Sequence, residues 1–385
     1  MASTVYHIDL RATFQESLPE KLGRLAVTAG LDSILEEREL TAVKIHFGEK
    51  GNTAFINPVF VRKIIEQIKE TGATPFLTDT NTLYAGTRSD TPSHLTTAFE
   101  NGFAYSVVGA PVVIADGLRG RSDEEVEVNA KHVQTAYIGT DIHHADAMVV
   151  VSHFKGHELS GFGGALKNLG MGCASRRGKL AQHSTVSPKI KRKKCIGCGM
   201  CITHCPVEAI TMDDADGKKK ATINPDTCVG CGDCIIVCPT GAVLIQWNQS
   251  VPTFLETMVE YAKAALTGKE GKTLFINFIT DVSPLCDCIG HSDVPIVPNI
   301  GILASTDPVA IDQACVDLVN AQTANPGCSL KVNTGPGEDK FKGLHPNVDW
   351  PLQLAHAEEL GLGFRTYELV KLESKGLKLK TESEE

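Results

Sequence analysis

No apolar run in this chain is long enough to cross a bilayer, and its first residues, Met-Ala-Ser-Thr-Val-Tyr-His, contain no apolar leader core. Neither a membrane-spanning nor a secreted protein is expected, and the compartment expected is the cytoplasm. Basic charge is also short. Lys and Arg number 37 against 46 Asp and Glu, a net charge of −9 and a pI near 5.8, which argues against nucleic acid as the main partner. At 385 residues and 42% hydrophobic content, the chain can bury one large core and carry a satellite domain.

Cysteine, by contrast, is plentiful, and eight of the thirteen fall into two runs. The first is Cys195-Ile-Gly-Cys198-Gly-Met-Cys201-Ile-Thr-His-Cys205-Pro206. The second is Cys228-Val-Gly-Cys231-Gly-Asp-Cys234-Ile-Ile-Val-Cys238-Pro239. Each reads C-x2-C-x2-C-x3-C-P, the spacing of bacterial dicluster ferredoxins, in which the fourth cysteine of each run ligates the other cluster. The expected sets are Cys195, Cys198, Cys201 and Cys238 for one 4Fe-4S cluster, and Cys228, Cys231, Cys234 and Cys205 for the second. Gly197, Gly199, Gly230 and Gly232 let the backbone wrap closely around a cluster, and Pro206 and Pro239 stop the turn that carries the fourth ligand. Zinc is the alternative for any four-cysteine site, but it rarely takes this run, let alone twice. Thiolate ligands need a reducing compartment, and cuboidal clusters favour an oxygen-poor niche.

On either side of this duplicated unit, strands alternate with helices. Ala42 to Phe47, Pro75 to Asp79, Pro111 to Ala115, Ala147 to Ser152, Thr273 to Ile279, Val294 to Ile296 and Gly301 to Ala304 read as strands. Val126 to Val128 and Thr135 to Ile138 read as a hairpin. Helices are expected after Asn57-Pro58, over Pro92 to Asn101, Phe254 to Leu266 and Pro308 to Val319. The pattern gives an α/β fold: a mostly parallel sheet flanked by helices, with the ferredoxin-like unit inserted into it. The division is 1–186 and 249–372 for the host domain, 187–248 for the insertion, and 373–385 for a polar tail. Lys189, Lys191, Arg192, Lys193 and Lys194 precede the first cluster cysteine. They form either a solvated linker or a docking patch for an acidic redox partner.

Four stretches of the host could carry chemistry. Asp79 to Arg88 leaves the end of a strand, where ligands of parallel sheets sit, and Thr80, Asn81 and Arg88 suit a phosphate or carboxylate. Ser152 to Cys173 also leaves a strand end. Its His153, His157, Lys167 and Asn168 are substrate-contact candidates, and the N–H groups at its helix start would favour an anion. Metal ligation by His153 and His157 is the weaker reading, because Gly156 between them opposes a helix. Cys286-Asp287-Cys288 is a third stretch, either inert buried thiols, a redox pair, or part of a further metal site with Cys173 and His291. The fourth, Ser305 to Asp312, reads as a helix cap at Asp307-Pro308.

Taken together, Asp79-Thr80, Gly86-Thr87-Arg88, Ser152-His153-Phe-Lys155-Gly-His157, Gly164-Ala165-Leu-Lys167-Asn168, Cys286-Asp287-Cys288 and Ser305-Thr-Asp307-Pro308-Val-Ala-Ile-Asp312 resemble the domain-of-unknown-function 362 family. The resemblance runs from about Lys44 to Val319, and members of that family often carry a dicluster ferredoxin module. It implies architecture, not a reaction. A remoter resemblance to nickel-pincer lactate racemases carries no residue across.

The reading that follows is an iron–sulfur oxidoreductase, or its electron-delivering component. Two clusters would feed a small-molecule ligand near Thr80, Arg88, His153, His157 and Lys167. A redox partner protein and a symmetric homodimer are expected with it. Two other readings are a non-catalytic iron–sulfur carrier or maturation protein, and a non-redox enzyme whose clusters are structural.

Overall fold

The computed structural model describes residues 2–184, 187–215, 218–247 and 249–376. The expected domain edges at 186 and 248, and most of the expected polar tail (377–385), lie outside the described residues.

Eight strands form one sheet. In chain order they are β1 (Ser3–Ile8), β2 (Leu40–Ile45), β3 (Thr74–Asp79), β4 (Val112–Ile114), β5 (Ala147–His153), β6 (Thr273–Ile279), β7 (Gly301–Ser305) and β8 (Tyr367–Lys371). Across the sheet the order is β8-β1-β7-β6-β5-β2-β3-β4. All neighbours are parallel except β7, which runs antiparallel to both β1 and β6. The expected mostly parallel α/β sheet is the one observed. From β2 the chain steps outward to β3 and β4. It then returns to lay β5 on the other side of β2 and steps away to β6. The strand order therefore reverses between β2 and β5, and a cleft opens there at the carboxyl ends of the strands.

Burial on both faces explains the strand compositions. In β5, Met148 and Val150 face one apolar core while Val149 and Val151 face the other. Helix α1 (Leu18–Thr28) and helix α2 (Pro58–Glu70) cover one side. Helix α2 starts where Asn57 accepts the Val59 N–H at 3.0 Å, and it buries Val61, Ile64, Ile65 and Ile68, one stripe of a 3.6-residue repeat. The other side is covered by α3 (Ala165–Gly170), α4 (Val251–Leu266), α5 (Pro308–Asn320) and α6 (Pro351–Glu359).

Asp307 begins α5 by accepting from Val309 N–H (2.8 Å) and Ala310 N–H (2.9 Å). Its second oxygen takes Ser3 Oγ and Phe364 N–H, tying both chain ends to the helix. The capping role read from Asp307-Pro308 is what the structure shows. Val294 to Ile296 is not a strand. Pro295 and Pro298 lack the N–H groups a ladder needs, and the segment packs as a loop with Ile296 and Val297 buried.

The duplicated cysteine stretch runs between the helix Arg176–His183 and α4. Within it Ile210–Ala215 pairs with Lys218–Ile223, and Lys189–Ile190 pairs with Val243–Leu244, both antiparallel.

Asp312 gives the first test. This buried carboxylate on α5 accepts from Ala165 N–H (2.7 Å), Leu166 N–H (3.0 Å) and Asn277 Nδ2 (2.7 Å). Asp312→Ala strands those three donors at about 1–3 kcal/mol apiece. The expected outcome is a clear fall in melting temperature, corresponding to about 3 kcal/mol or more, read by thermal and urea unfolding. Burial raises the Asp312 carboxyl to about 6. An acid raised in the fold contributes most below its ordinary pKa, so its share of stability is lost as pH climbs through about 6. Asp312→Ala removes that dependence.

Candidate functional site

A cavity of about 200 Å³ opens at the strand-order reversal. Lys44 and Val151 rise into it from β2 and β5, and Asp79 from the end of β3. Lys44 is a lone cation in an apolar strand, fully buried, with Nζ 2.9 Å from Asp79 Oδ1 and donating to Asn168 Oδ1 at 2.7 Å. Burial alone would raise the Asp79 carboxyl, but Lys44, His46, His94 and Arg88 hold it below the usual carboxylate range. Asn168, on α3, donates from Nδ2 to Val151 O and Ser152 Oγ, each at 3.0 Å, so one amide bolts the helix across the β2–β5 junction.

One wall carries the thiols. Cys286 to Ile289 forms a turn closed by Ile289 N–H to Cys286 O at 3.0 Å, and Cys288 N–H points at Cys286 Sγ at 3.4 Å. Lys167 Nζ lies 3.7 Å from Cys286 Sγ. His157 Nδ1 accepts the N–H groups of Leu159 (3.2 Å) and Ser160 (3.1 Å), so Nε2 carries its proton. Cys286 is held well below the ordinary thiol range by a hydrogen bond from Cys288, aided by Lys167 and His157 against the effect of burial. Cys288, the donor of that bond, is pushed up. That bond favours the thiolate form at Cys286 and the thiol form at Cys288. Burial would lower Lys167, and the two sulfurs raise it instead.

Asp287 between the two cysteines turns the other way. It takes His153 Nδ1 at 2.9 Å and Lys155 Nζ at 2.8 Å. Burial acts to raise this carboxyl, but His153, Lys155 and His46 hold it low.

Of the residues singled out from the sequence, Thr80, Arg88, His153, His157, Lys167, Asn168, Cys286 and Cys288 all line this cavity. Asn81 does not. Its side chain ties Asp116 Oδ1 (2.8 Å) and Gly117 O (2.9 Å). Cys173 lies under Asn168 O, away from Cys286 and Cys288, and burial pushes its thiol up to about 11. Among the described residues no three His, Cys, Asp or Glu side chains are gathered as a single-ion site. His153 has both nitrogens engaged, the second 2.8 Å from Thr280 O, and Arg88 is committed to Glu49 (3.2 Å) and Asp79 (3.5 Å).

The glycine-rich stretch has a packing reason. A Cβ at Gly164 would stand 2.2 Å from Asp312 Oδ1, and one at Gly172 would stand 2.3 Å from Asn168 O and 2.4 Å from Lys44 Nζ. The anion drawn to the start of α3 is the Asp312 carboxylate itself.

Sequence reading passed over several lining residues. Lys44 carried a signal, a charge inside an apolar strand run. Lys179, held by Ala174 O at 2.7 Å and by Thr80 Oγ1, is lowered by burial to about 8. His183 stacks on Phe254 at 4.9 Å and meets Trp247 edge-on at 4.6 Å. Leu83 and Tyr84 also line the cavity.

The eight cysteines of the duplicated stretch fall into two sets around two smaller cavities. Cys195, Cys198, Cys201 and Cys238 line one, and Cys205, Cys228, Cys231 and Cys234 line the other. The halves repeat in backbone detail. Ala209 N–H points at Cys205 Sγ (3.2 Å) as Ala242 N–H does at Cys238 Sγ (3.1 Å). Gly197, Gly199, Gly230 and Gly232 share φ values of +72°, +78°, +71° and +74°.

The second set is anchored by ion pairs to residues before the cysteine stretch. Asp233, between Gly232 and Cys234, pairs with buried Arg176 at 2.8 Å and with Arg121. A Cβ on Gly232 would lie 3.2 Å from Leu83, so that backbone touches a residue of the large cavity. The first set sits beside exposed Ile196 and Met200 and the exposed Lys191, Lys193 and Lys194.

The thiol wall makes a measurable prediction. Alkylation of Cys286, followed by peptide mass mapping, stays fast well below the ordinary thiol range, and Lys167→Met moves the profile upward in pH.

Comparison with known proteins adds the following. No curated protein matches the chain. Solved structures similar in part include the following two. The lactate racemase apoprotein from Thermoanaerobacterium thermosaccharolyticum has 12% identity and a TM-score of 0.40 over 83% of this chain and 59% of its own. A Thermotoga maritima protein has 9% identity and a TM-score of 0.30 over 68% and 49%. The chain thus spans about half of each, and likeness of that degree carries no argument. Among the described residues no helix is long and apolar enough to cross a membrane. A family model does match, over residues 41–317, and the chain belongs to that family, "Domain of unknown function (DUF362)".

Proposed function

We propose that this protein is an iron–sulfur oxidoreductase, or the electron-delivering component of one, moving single electrons through two 4Fe-4S clusters to a small anionic ligand in the cavity above β2 and β5. A 4Fe-4S cluster supplies one-electron chemistry when bound. Support for the clusters is the crossed grouping: each cavity is lined by three cysteines of one run and the last of the other. The paired N–H groups aimed at Cys205 and Cys238 fit sulfurs carrying negative charge.

The single observation that carries the functional reading is Leu83. It belongs to the apolar cluster around Cys201, Cys234 and Ile235, and it also lines the large cavity. A Cβ on Gly232 of the second cysteine set would lie 3.2 Å from Leu83, so that set abuts the cavity, while Ile196 and Met200 of the first are exposed beside a basic stretch. That polarity gives electrons an entry at Lys191 to Lys194, for an acidic redox partner, and an exit at Leu83.

Within the cavity, Lys167 and Lys179 hold the ligand's negative charge. Lys44, Arg88 and Lys155 are each already matched by a carboxylate. Leu83, Met171 and Phe254 exclude water from its apolar side. His157 presents its Nε2 proton to the thiolate side of the site.

Anaerobic purification should yield a brown protein with two cubes' worth of iron and acid-labile sulfide, and Cys234→Ser should lose part of both. In a donor–acceptor screen, Lys167→Ala lowers turnover on the order of 10²-fold while the cluster spectrum is unchanged. Reducible clusters without any turnover would place the protein among electron carriers, and colourless, zinc-loaded protein would end the redox reading. Association with a donor protein weakens with salt, and reversing the charge of Lys191, Lys193 and Lys194 abolishes it.

A further inference from the structure

Two thiols two residues apart at the wall of a cavity, beside a one-electron path, form an arrangement the reading above does not use. We propose that Cys286 and Cys288 are a reversible dithiol/disulfide couple that gathers two single electrons from the clusters into one two-electron store at the ligand site. The inference rests on the iron–sulfur reading.

Its first support is the turn. The Ile289 N–H to Cys286 O bond folds Cys286 to Ile289 back on itself, and the backbone N–H of Cys288 points at Cys286 Sγ. Cysteines at positions one and three of such a turn lie within the Cα separation of about 4.4–6.8 Å that a disulfide requires. Both side chains border the cavity, so reagents and ligands reach them.

The second support is the surroundings. Lys167 Nζ is within hydrogen-bond reach of Cys286 Sγ at 3.7 Å, and among the described residues no lysine or arginine makes such a bond to Cys288 Sγ. A couple that must open and close benefits from this asymmetry. The Lys167 side stabilises the sulfur that departs as thiolate, while the other sulfur takes the proton. Reduction therefore balances as one S–S bond plus two electrons and one proton, giving the Cys286 thiolate and the Cys288 thiol. The two electrons come from the two clusters, one each, which an external one-electron donor protein recharges. Oxidation by a two-electron acceptor in the cavity restores the bond.

The third support is a continuous connection. Gly232, between Cys231 and Asp233, touches Leu83. Tyr84 follows Leu83 in the chain, and its hydroxyl donates to Cys288 O at 3.0 Å. Arg88 Nη2 donates to the same hydroxyl at 2.8 Å and fixes it in place. From the second cysteine set to the dithiol there is thus one van der Waals step, a short stretch of covalent chain and one hydrogen bond. Tyr84 is a positioning residue here, acting through the Cys288 carbonyl.

The test uses the full-length protein purified anaerobically, with iron and sulfide counted first. Diamide is added, free thiols are alkylated, and peptide mass mapping follows the 286–288 segment. Oxidised protein is expected to show that segment unalkylated and lighter by two hydrogens, and Cys288→Ser to show no such species. Reduced methyl viologen is then supplied at limiting concentration. Wild type should consume two electrons beyond those held by the clusters and recover both alkylation sites. Tyr84→Phe, with normal iron content, should recover them more slowly, by roughly tenfold.

Failure to form the 286–288 disulfide, with clusters intact, overturns the couple and leaves the iron–sulfur reading standing. A disulfide that methyl viologen reduces equally fast in cluster-stripped protein overturns the relay. Protein without iron or sulfide overturns the reading underneath, and the relay with it.

Discussion

The buried pair of Lys44 and Asp79 is the constraint on which the site depends. Both side chains are almost wholly shielded from water, at 1% and 4% exposure, so their desolvation costs several kcal/mol per ion. An apolar pair of equal volume would hold β2 and β3 together at least as well. Keeping the charges there secures something packing cannot, namely a fixed cation and carboxylate at the mouth of the strand-order reversal. Asn168 extends the pair to α3 and β5, and Gly172 lets the backbone approach Lys44 Nζ. Four elements are brought to one point by a handful of polar atoms, and the thiol turn after β6 completes the enclosure.

The orientation of the duplicated stretch follows from one position in each run. Up to the third cysteine the runs differ by one conservative exchange, Ile196 against Val229, and by the residue before that cysteine, which is Met200 in the first and Asp233 in the second. Met200 is exposed, and a Cβ on its neighbour Gly199 would meet nothing within 4 Å. Asp233 is buried against Arg176 and Arg121, and its neighbour Gly232 is wedged against Arg176 and Leu83. An internal repeat has no inherent preference for which half docks. A carboxylate in one half and a thioether in the other decide it, since only the former satisfies a buried guanidinium.

Much of this was legible beforehand, for physical reasons that differ by residue. Strands such as Thr273–Ile279 are fully buried, so their composition is dictated by the core and stands out. The edge strand Tyr367–Lys371 and its neighbour Ser3–Ile8 are only partly buried and mixed in character, and no periodicity marked them. His153 lines the cavity, but a sequence does not show that Asp287 and Thr280 O, far along the chain, engage both its nitrogens. Arg88 is a similar case, committed to Glu49 and Asp79. The N–H groups at the start of α3 were read as an anion site, and the anion proved to be Asp312, 147 residues from its partner Ala165. Local patterns reveal which groups carry charge. Long-range packing decides which of those charges are already answered.

That distinction bears directly on what the cavity receives. Lys44, Arg88 and Lys155 each find a carboxylate, and these ion pairs shape the walls without adding net charge. Lys167 faces a sulfur, and Lys179 faces the Ala174 carbonyl and a threonine hydroxyl. Burial has already lowered Lys179 to about 8, so it is mostly cationic at neutral pH yet readily gives up its proton. A ligand bringing one negative charge relieves that desolvation and raises the lysine again, while a neutral ligand leaves it strained. Affinity for an anion should therefore weaken as the medium rises through about pH 8, since the free site then becomes neutral at Lys179. The same reasoning separates the two lysines in function. Lys167 is held in its charged form by the neighbouring sulfurs and so answers to their redox state as well as to the ligand, whereas Lys179 answers to the ligand alone.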